Sequence, residues 1–367
     1  MRGGRGRRQT GLQGLAVSPA AIRGTPSSTA GRRPFRFFHV QVAAVRDLTP
    51  HMRRVTFTGP DLGDFADPGW DQRIKLVLPA PASGYEHLPT GEDWYSEWRA
   101  LPQEHRPPIR TYTTRAVRPG AGAGRAEVNA EVDVDMVVHA APPTLAGRQD
   151  STVPSTQPGS ASQDSTGWQA AVGPAARWVA SAAVGSEVVL LGPDRGWAGE
   201  PGGVGFVPPP VTERFLLGGD ETAAPAIARI LEDLPTTARG VAVVELPTEA
   251  DTAYLPTHPG IEVRAAGREG RPHGRALVEG VRAAAAELCP AGRSRRVEEV
   301  AVDTGLLWEV PRTARGGAAL QRTTLYAWLA GEATAVRATR RHLVSDLGID
   351  RRTVAFMGYW RQGRPEG

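Results

Sequence analysis

The stretch Arg110-Thr111-Tyr112-Thr113-Thr114-Arg115 is rich in β-branched threonine, a composition that favours an extended backbone. Side chains alternate along a strand, so Arg110, Tyr112 and Thr114 share one face and Thr111, Thr113 and Arg115 the other. A guanidinium and a flat ring then lie side by side. That pair suits a planar, anionic cofactor. The Arg fork matches phosphate, the Tyr ring can stack on a heterocycle, and a Thr hydroxyl can reach a ring nitrogen or carbonyl. The alternative is a barrel strand with one snorkelling arginine, and these positions alone do not separate the two.

Working upstream, Phe35 to Val42, Met52 to Thr58 and Asp71 to Pro79 read as three short strands separated by Pro, Gly and Asp, the pattern of an antiparallel barrel. Downstream, Glu127 to Met136 gives the cleanest alternation in the chain. Val128, Ala130, Val132, Val134 and Met136 make one face, expected to be buried, and the intervening acids and Asn129 make the other, expected to be wet. After Val137-Val138-His139, residues 140–171 lose apolar periodicity and read as a disordered insertion. Gly173-Pro174-Ala175-Ala176-Arg177-Trp178 then places proline at a first helical turn, which leaves backbone N–H groups free to face an anion. A strand at Glu187 to Leu191 stops at Gly192-Pro193, so a barrel domain over 35–210 is expected.

From residue 211 the hydrophobic period shifts towards that of an α/β unit. Strands are expected at Arg214 to Leu217, Gly240 to Leu246, Ile261 to Arg264 and Thr324 to Gly331. Helices are expected at Ala223 to Leu231, with Thr222 or Asp220 as cap, at Ala276 to Leu288, and at Glu332 to Leu347 before Gly348. Residues 290–321 read as a second irregular segment, and Val354 to Arg361 closes the chain. Strand–Gly–helix junctions at Gly219 and Gly331 suit a sheet that presents helix N-termini to a phosphate-bearing ligand, or glycines that let helix and strand pack closely. The fold expected is an N-terminal antiparallel β-barrel followed by a doubly wound α/β nucleotide-binding domain over 211–367.

Composition narrows the function. The one cysteine, Cys289, excludes an internal disulfide, a thiolate iron–sulfur cluster and a four-thiolate zinc site, so redox chemistry here would need an organic cofactor. No apolar run is long enough for a membrane span and no secretion signal is read, which makes a cytoplasmic location the default. The net charge of +4 is concentrated in residues 1–34, which carry seven arginines and no acid, so the remaining body is acidic by −3. That tail reads as a disordered basic extension in preference to a nucleic-acid arm.

The motifs in order narrow it further. Arg110-Thr111-Tyr112-Thr113, Val137-Val138-His139, Gly173 to Trp178, Gly219-Asp220-Glu221-Thr222-Ala223, Trp328-Leu329-Ala330-Gly331-Glu332 and Phe356-Met357-Gly358-Tyr359-Trp360-Arg361 together resemble the siderophore-interacting protein family, ferredoxin-reductase-like flavoproteins that reduce ferric siderophores. The resemblance implies FAD and NAD(P)H as cofactors and a ferric siderophore as substrate. It implies that Arg110, Thr111, Tyr112, Thr113 and His139 hold the flavin, that Gly173, Pro174, Ala175 and Ala176 receive the pyrophosphate, and that Asp220, Glu221, Thr222, Gly331 and Glu332 border the nicotinamide-nucleotide cleft. Lys75, Arg177 and Arg361 match basic positions that line the family's chelate pocket. No catalytic side chain, metal site or nucleic-acid partner is implied, and a monomer is expected.

Two positions depart from the family pattern: Ala140 replaces a glycine and Ala176 replaces a serine whose hydroxyl would bond phosphate. Weakened FAD binding is the expectation. Two alternatives stay open, a chelate-binding protein whose flavin site has decayed and a reductase serving a ferredoxin or flavodoxin partner.

Overall fold

The computed structural model describes residues 32–120, 129–138, 173–200, 202–289, 308–314 and 316–363. The basic tail, the expected insertion, His139 and Ala140 therefore lie outside the described residues, except for positions 32–34 of the tail. Seven antiparallel strands form the first sheet: β1 (Phe35–Thr49), β2 (Met52–Thr58), β3 (Arg73–Val77), β4 (Ile109–Thr113), β5 (Ala116–Arg118), β6 (Glu131–Val137) and β7 (Glu187–Pro193). Their order is β4-β3-β7-β1-β2-β6-β5. The sheet curls into a barrel whose interior holds Phe38, Val40, Phe57, Ile74, Leu76, Val132, Val134, Met136 and Leu190. A short helix, α1 (Trp94–Ala100), precedes β4, and α2 (Pro174–Ser181) precedes β7. Neither α1 nor its aromatic run announced itself by periodicity.

One expectation about this sheet is corrected. The second face of β6 is not wet, because Asp133 and Asp135 are 2 % and 1 % exposed. Buried carboxylates need partners. Arg54 grips Asp135 through two hydrogen bonds of 2.7 and 2.8 Å, Arg118 and Thr56 bond Asp133, and Tyr254 donates its hydroxyl to Asp135 at 2.7 Å. Tyr254 belongs to the following unit, so this acidic face is buried by the joint between the two units.

The second sheet contains β8 (Val211–Gly219), β9 (Gly240–Leu246), β10 (Ile261–Gly267), β11 (Trp308–Glu309), β12 (Arg322–Glu332) and β13 (Val354–Trp360), in the order β10-β9-β8-β12-β13-β11. All pairs are parallel except β11 with β13. Helix α3 (Ala224–Asp233) buries Ile227, Ile230 and Leu231 on one face of the sheet. On the other face lie α4 (Arg275–Leu288) and α5 (Ala333–Arg341). This is the doubly wound arrangement expected. Strand β11 falls inside the segment read as irregular; two residues are too few to carry a pattern. The final helix is shorter than expected, with a π-turn at His342–Asp346 before Gly348 at φ 67°. Helix α3 has Ala223 at its N-cap and no side-chain cap, so neither Thr222 nor Asp220 takes the expected role.

The connector between the units is anchored by a buried carboxylate. Asp71, fully buried, accepts the N–H groups of Gly205 and Phe206, both at 2.8 Å, and the Trp328 indole N–H at 3.2 Å. Burial pushes its pKa up, and those donors oppose the shift.

Candidate functional site

A cavity of about 1400 Å³ opens where the barrel meets the α/β unit. Its size exceeds the few hundred to about 1,000 Å³ of ordinary small-molecule pockets and suits an extended ligand. The barrel contributes β4, an edge strand, so all four of Arg110, Thr111, Tyr112 and Thr113 reach the cavity. Tyr112 packs its ring partly on the barrel core, while Thr111 stands opposite Lys75 and accepts its ammonium at 2.7 Å. Gly173, Pro174, Ala175 and Ala176 line the same cavity from the start of α2. That helix begins with Gly173 at the N-cap, Pro174 in the first turn and no side-chain cap, so the N–H groups of its first turn have no intrahelical acceptor. The α/β unit supplies Glu221 and Thr222 from the end of β8, and Trp360 and Arg361 from the end of β13.

Three of the residues expected here stand behind the wall. Asp220 is 2 % exposed and accepts hydrogen bonds from the Thr222 N–H at 2.9 Å, the Glu332 N–H at 2.6 Å and the Trp360 indole at 2.9 Å. Burial and then the neighbouring Glu221 carboxylate push its pKa from 3.8 up to about 6, against those donors. Gly331, at φ 133°, exists to make room: a Cβ there would sit 2.5 Å from an Asp220 oxygen. Glu332 caps α5 by accepting the Thr334 and Ala335 N–H groups. These residues shape the cleft from below and do not face it. Arg177 is exposed on α2 and is not part of the cavity wall.

Several residues that face the cavity were not singled out as site residues from the sequence. Arg268 follows β10 and forms two hydrogen bonds with Glu221, at 2.6 and 2.8 Å, with Glu245 a further 3.6 Å away. Burial opposes the Arg268 charge, but Glu221 and Glu245 outweigh it and hold the pKa above the ordinary value. His51, in the turn after β1, bonds Asp251 at 2.8 Å across the joint. Trp308 of β11 carries the Arg73 guanidinium 4.1 Å from its ring centre and stacks on Tyr359 at 5.8 Å. The Tyr359 hydroxyl is buried without a partner, and burial pushes its pKa up. A clue existed for Arg268: two adjacent acids at a strand end, once buried, require a cation.

The residues present fit a flavin dinucleotide. The donor set combines an arginine, a tyrosine ring, threonine hydroxyls and an uncapped helix start around one large cavity.

Comparison with known proteins gives this geometry its context. Residues 41–197 match the model of the siderophore-interacting FAD-binding domain, and residues 212–363 match that of the siderophore-interacting protein. The chain belongs to the siderophore-interacting protein family. An uncharacterized protein of Mycobacterium tuberculosis is 30% identical over 337 residues, covering 91% of this chain and 93% of the relative. The ferric vibriobactin reductase ViuB of Vibrio cholerae is 27% identical over 322 residues, covering 87% of each. Among solved structures, the siderophore-interacting protein SipS from Aeromonas hydrophila superimposes with a TM-score of 0.56 at 24% identity, covering 91% of this chain and 95% of SipS. A siderophore utilization protein from T. fusca gives 0.56 at 23%, covering 90% and 95%. These two likenesses are of fold. They extend across both units of the family chain, barrel and α/β alike. Among the described residues no helix is long and apolar enough to cross a membrane, and no cluster of His, Cys, Asp or Glu is arranged to hold a metal ion.

Proposed function

We propose that the protein is a flavin-dependent ferric-siderophore reductase that draws electrons from NAD(P)H. The observation that carries this reading is the convergence on one cavity of the Arg110–Thr113 strand, the start of α2, the Glu221-Thr222 turn and the cations Lys75 and Arg361. FAD, when bound, supplies the conversion of a two-electron hydride donor into single-electron delivery. Arg110 and the N–H groups at the start of α2 would hold its phosphates, and Tyr112 and Thr113 its ring. His139, adjacent in sequence to Val138 of the cavity wall, would join them. Glu221 and Thr222 would border the nicotinamide nucleotide, with Asp220, Gly331 and Glu332 fixing the shape of that border. Lys75 and Arg361, and Arg177 from the nearby helix, would attract an anionic chelate by long-range charge.

The balance is simple: one NAD(P)H gives two electrons, two Fe(III) become two Fe(II), and one proton is released. Fe(II) is held less tightly than Fe(III) by hard oxygen donors, so reduction frees the metal. The residues around the cavity position and exclude water; none needs to accept a proton. Support comes from the family, whose relative ViuB is a ferric vibriobactin reductase. The test is spectroscopic. Purified protein incubated with FAD should show the flavin absorption bands, and anaerobic NADPH or NADH should bleach them. Protein that remains colourless after loading would favour the chelate-binding alternative. Bleaching followed by transfer to ferredoxin or flavodoxin but not to a ferric chelate would favour the second alternative.

A further inference from the structure

His51 stands at the seam of the cavity. It is the second residue of the tight turn between β1 and β2, whose last pair is Thr49 with Met52. The tip of that hairpin is seated on the α/β unit, because Leu48 and Met52, on either side of the turn, pack in the core cluster that holds Leu246 and Tyr254. From there His51 reaches both walls. On the barrel side its carbonyl accepts the Val138 N–H at 3.0 Å. On the other side its backbone N–H and its ring Nδ1 lie 2.9 and 2.8 Å from the two oxygens of Asp251. Val138, Pro247 and His51 itself line the cavity, and the His51 side chain keeps 19 % of its surface exposed.

Asp251 fixes which ring nitrogen carries the proton. It lies in the turn Glu249–Tyr254, with its side chain 3 % exposed, and also accepts the Thr248 N–H at 3.0 Å and the Thr248 hydroxyl at 2.7 Å. Burial pushes its pKa up, but the Thr248 and His51 donors outweigh burial and hold it below the ordinary carboxylate value. An ionised carboxylate can only accept, so the neutral imidazole keeps its proton on Nδ1 and leaves Nε2 as a bare acceptor. Among the described residues nothing donates to Nε2. The two carboxylates in the described lining of the cavity are already engaged, Asp135 by Arg54 and Tyr254, and Glu221 by Arg268.

We propose that His51 Nε2 accepts the carboxamide N–H of the nicotinamide ring and thereby sets how that ring is turned at the seam. The inference rests on the reductase reading above and assigns it a specificity-determining residue. On that reading the flavin lies against Tyr112 and Thr113 and the nicotinamide comes from the α/β side, so the two rings meet between the walls that His51 joins. The nicotinamide ring carries one donor group, its carboxamide NH2. A bare imidazole nitrogen recognises that group and gains nothing from a second carbonyl.

The experiment titrates the FAD-loaded full chain at pH 8 with NADP+ and NAD+, and with their 3-acetylpyridine analogues, in which a methyl group replaces the carboxamide NH2. Isothermal titration should show the carboxamide form binding about threefold to tenfold more tightly than its analogue, the worth of one hydrogen bond. His51→Asn keeps a donor for Asp251 but has no atom at the Nε2 position, so it should bind both forms equally, at the affinity of the analogue. His51→Gln, which carries a carbonyl out to the Nε2 position, should restore part of the preference. Nitrogen-15 NMR of the histidine-labelled chain, with the His51 signal assigned by its loss in His51→Asn, should show a proton on Nδ1 alone. Equal binding of the two forms by wild type, an equal loss of both in His51→Asn, or a protonated Nε2 at pH 8 overturns the inference, and bleaching of the flavin by NADPH or NADH in the same samples leaves the reductase reading in place. No binding of any of the four dinucleotides, with no bleaching, overturns both.

Discussion

The two walls of the cavity handle charge in opposite ways. On the α/β side the acids are buried and each has its donors: Glu221 takes Arg268, Glu245 takes the N–H groups of Gly274 and Leu277, Asp220 takes Trp360 and two backbone N–H groups, and Glu332 caps a helix. On the barrel side Arg33, Arg73, Lys75 and Arg110 reach the cavity, and Lys75 is exposed. One wall is internally neutralised and sets shape. The other presents cations, which on the proposed reading would draw in an anionic ligand. Substitutions on the first wall should therefore be read in stability, and those on the second in ligand affinity.

The largest effect is expected from Arg268→Met. Removing that guanidinium leaves Glu221 facing the cavity and Glu245 in the core without their cation, and breaking a buried pair in this way costs about 3–5 kcal/mol. Chemical denaturation followed by circular dichroism should show a lower midpoint. A midpoint unchanged from wild type would mean that the acids of this wall do not depend on Arg268.

Asp220 gives the same wall a pH signature. Its pKa is about 6 in the folded protein and 3.8 in the reference state. The folded form binds the proton more tightly, so the stability this group lends is full below about pH 4 and is lost as pH rises through about 6, on the order of 3 kcal/mol in all. The thermal midpoint of Asp220→Asn, subtracted from that of wild type across pH 4 to 7, should trace that fall. A flat difference would show that Asp220 is not protonated in that range.

How far the sequence disclosed this contrast differs between the walls. Arg110-Thr111-Tyr112-Thr113 and Gly173 to Ala176 are contiguous motifs, and each reaches the cavity through backbone geometry that local sequence specifies: an edge strand and a helix start. The α/β strands and helices were legible for the same reason, since their apolar residues recur with a period that burial imposes. The neutralised wall was not. Arg268 and Glu221 lie 47 residues apart and His51 and Asp251 lie 200 apart, so only the tertiary fold brings them together. Nor did alternation in β6 reveal that Asp133 and Asp135 are buried, because a strand shows which residues share a face and is silent on what covers it. Gly331 read equally as a glycine facing a ligand and as one that lets strand and helix pack closely, and in the fold it gives clearance to Asp220.

On the barrel wall, Arg110→Ala should leave the unfolding midpoint within error and weaken FAD by about tenfold to a hundredfold, the contribution of a charge-assisted phosphate contact. Flavin fluorescence titration reads this directly, and a large drop in stability with unaltered affinity would reverse the assignment of roles. The smallest effect belongs to Lys75→Met. An exposed cation contributes about 0–1 kcal/mol, so the KM for an anionic ferric chelate should rise no more than about fivefold and the difference should vanish at high salt. Persistence of the difference at high salt would point to a direct contact in place of long-range attraction.

The central claim is that this cavity passes electrons from a nicotinamide cofactor to chelated iron. Its most direct test is an anaerobic assay in which FAD-loaded protein, a limiting amount of NADPH or NADH and a ferric siderophore are combined with an Fe(II)-specific trap. The account expects two trapped Fe(II) for each reduced nicotinamide consumed, and no Fe(II) when the flavin is left out. Consumption of the nicotinamide without Fe(II), or Fe(II) formed at the same rate without flavin, would contradict it.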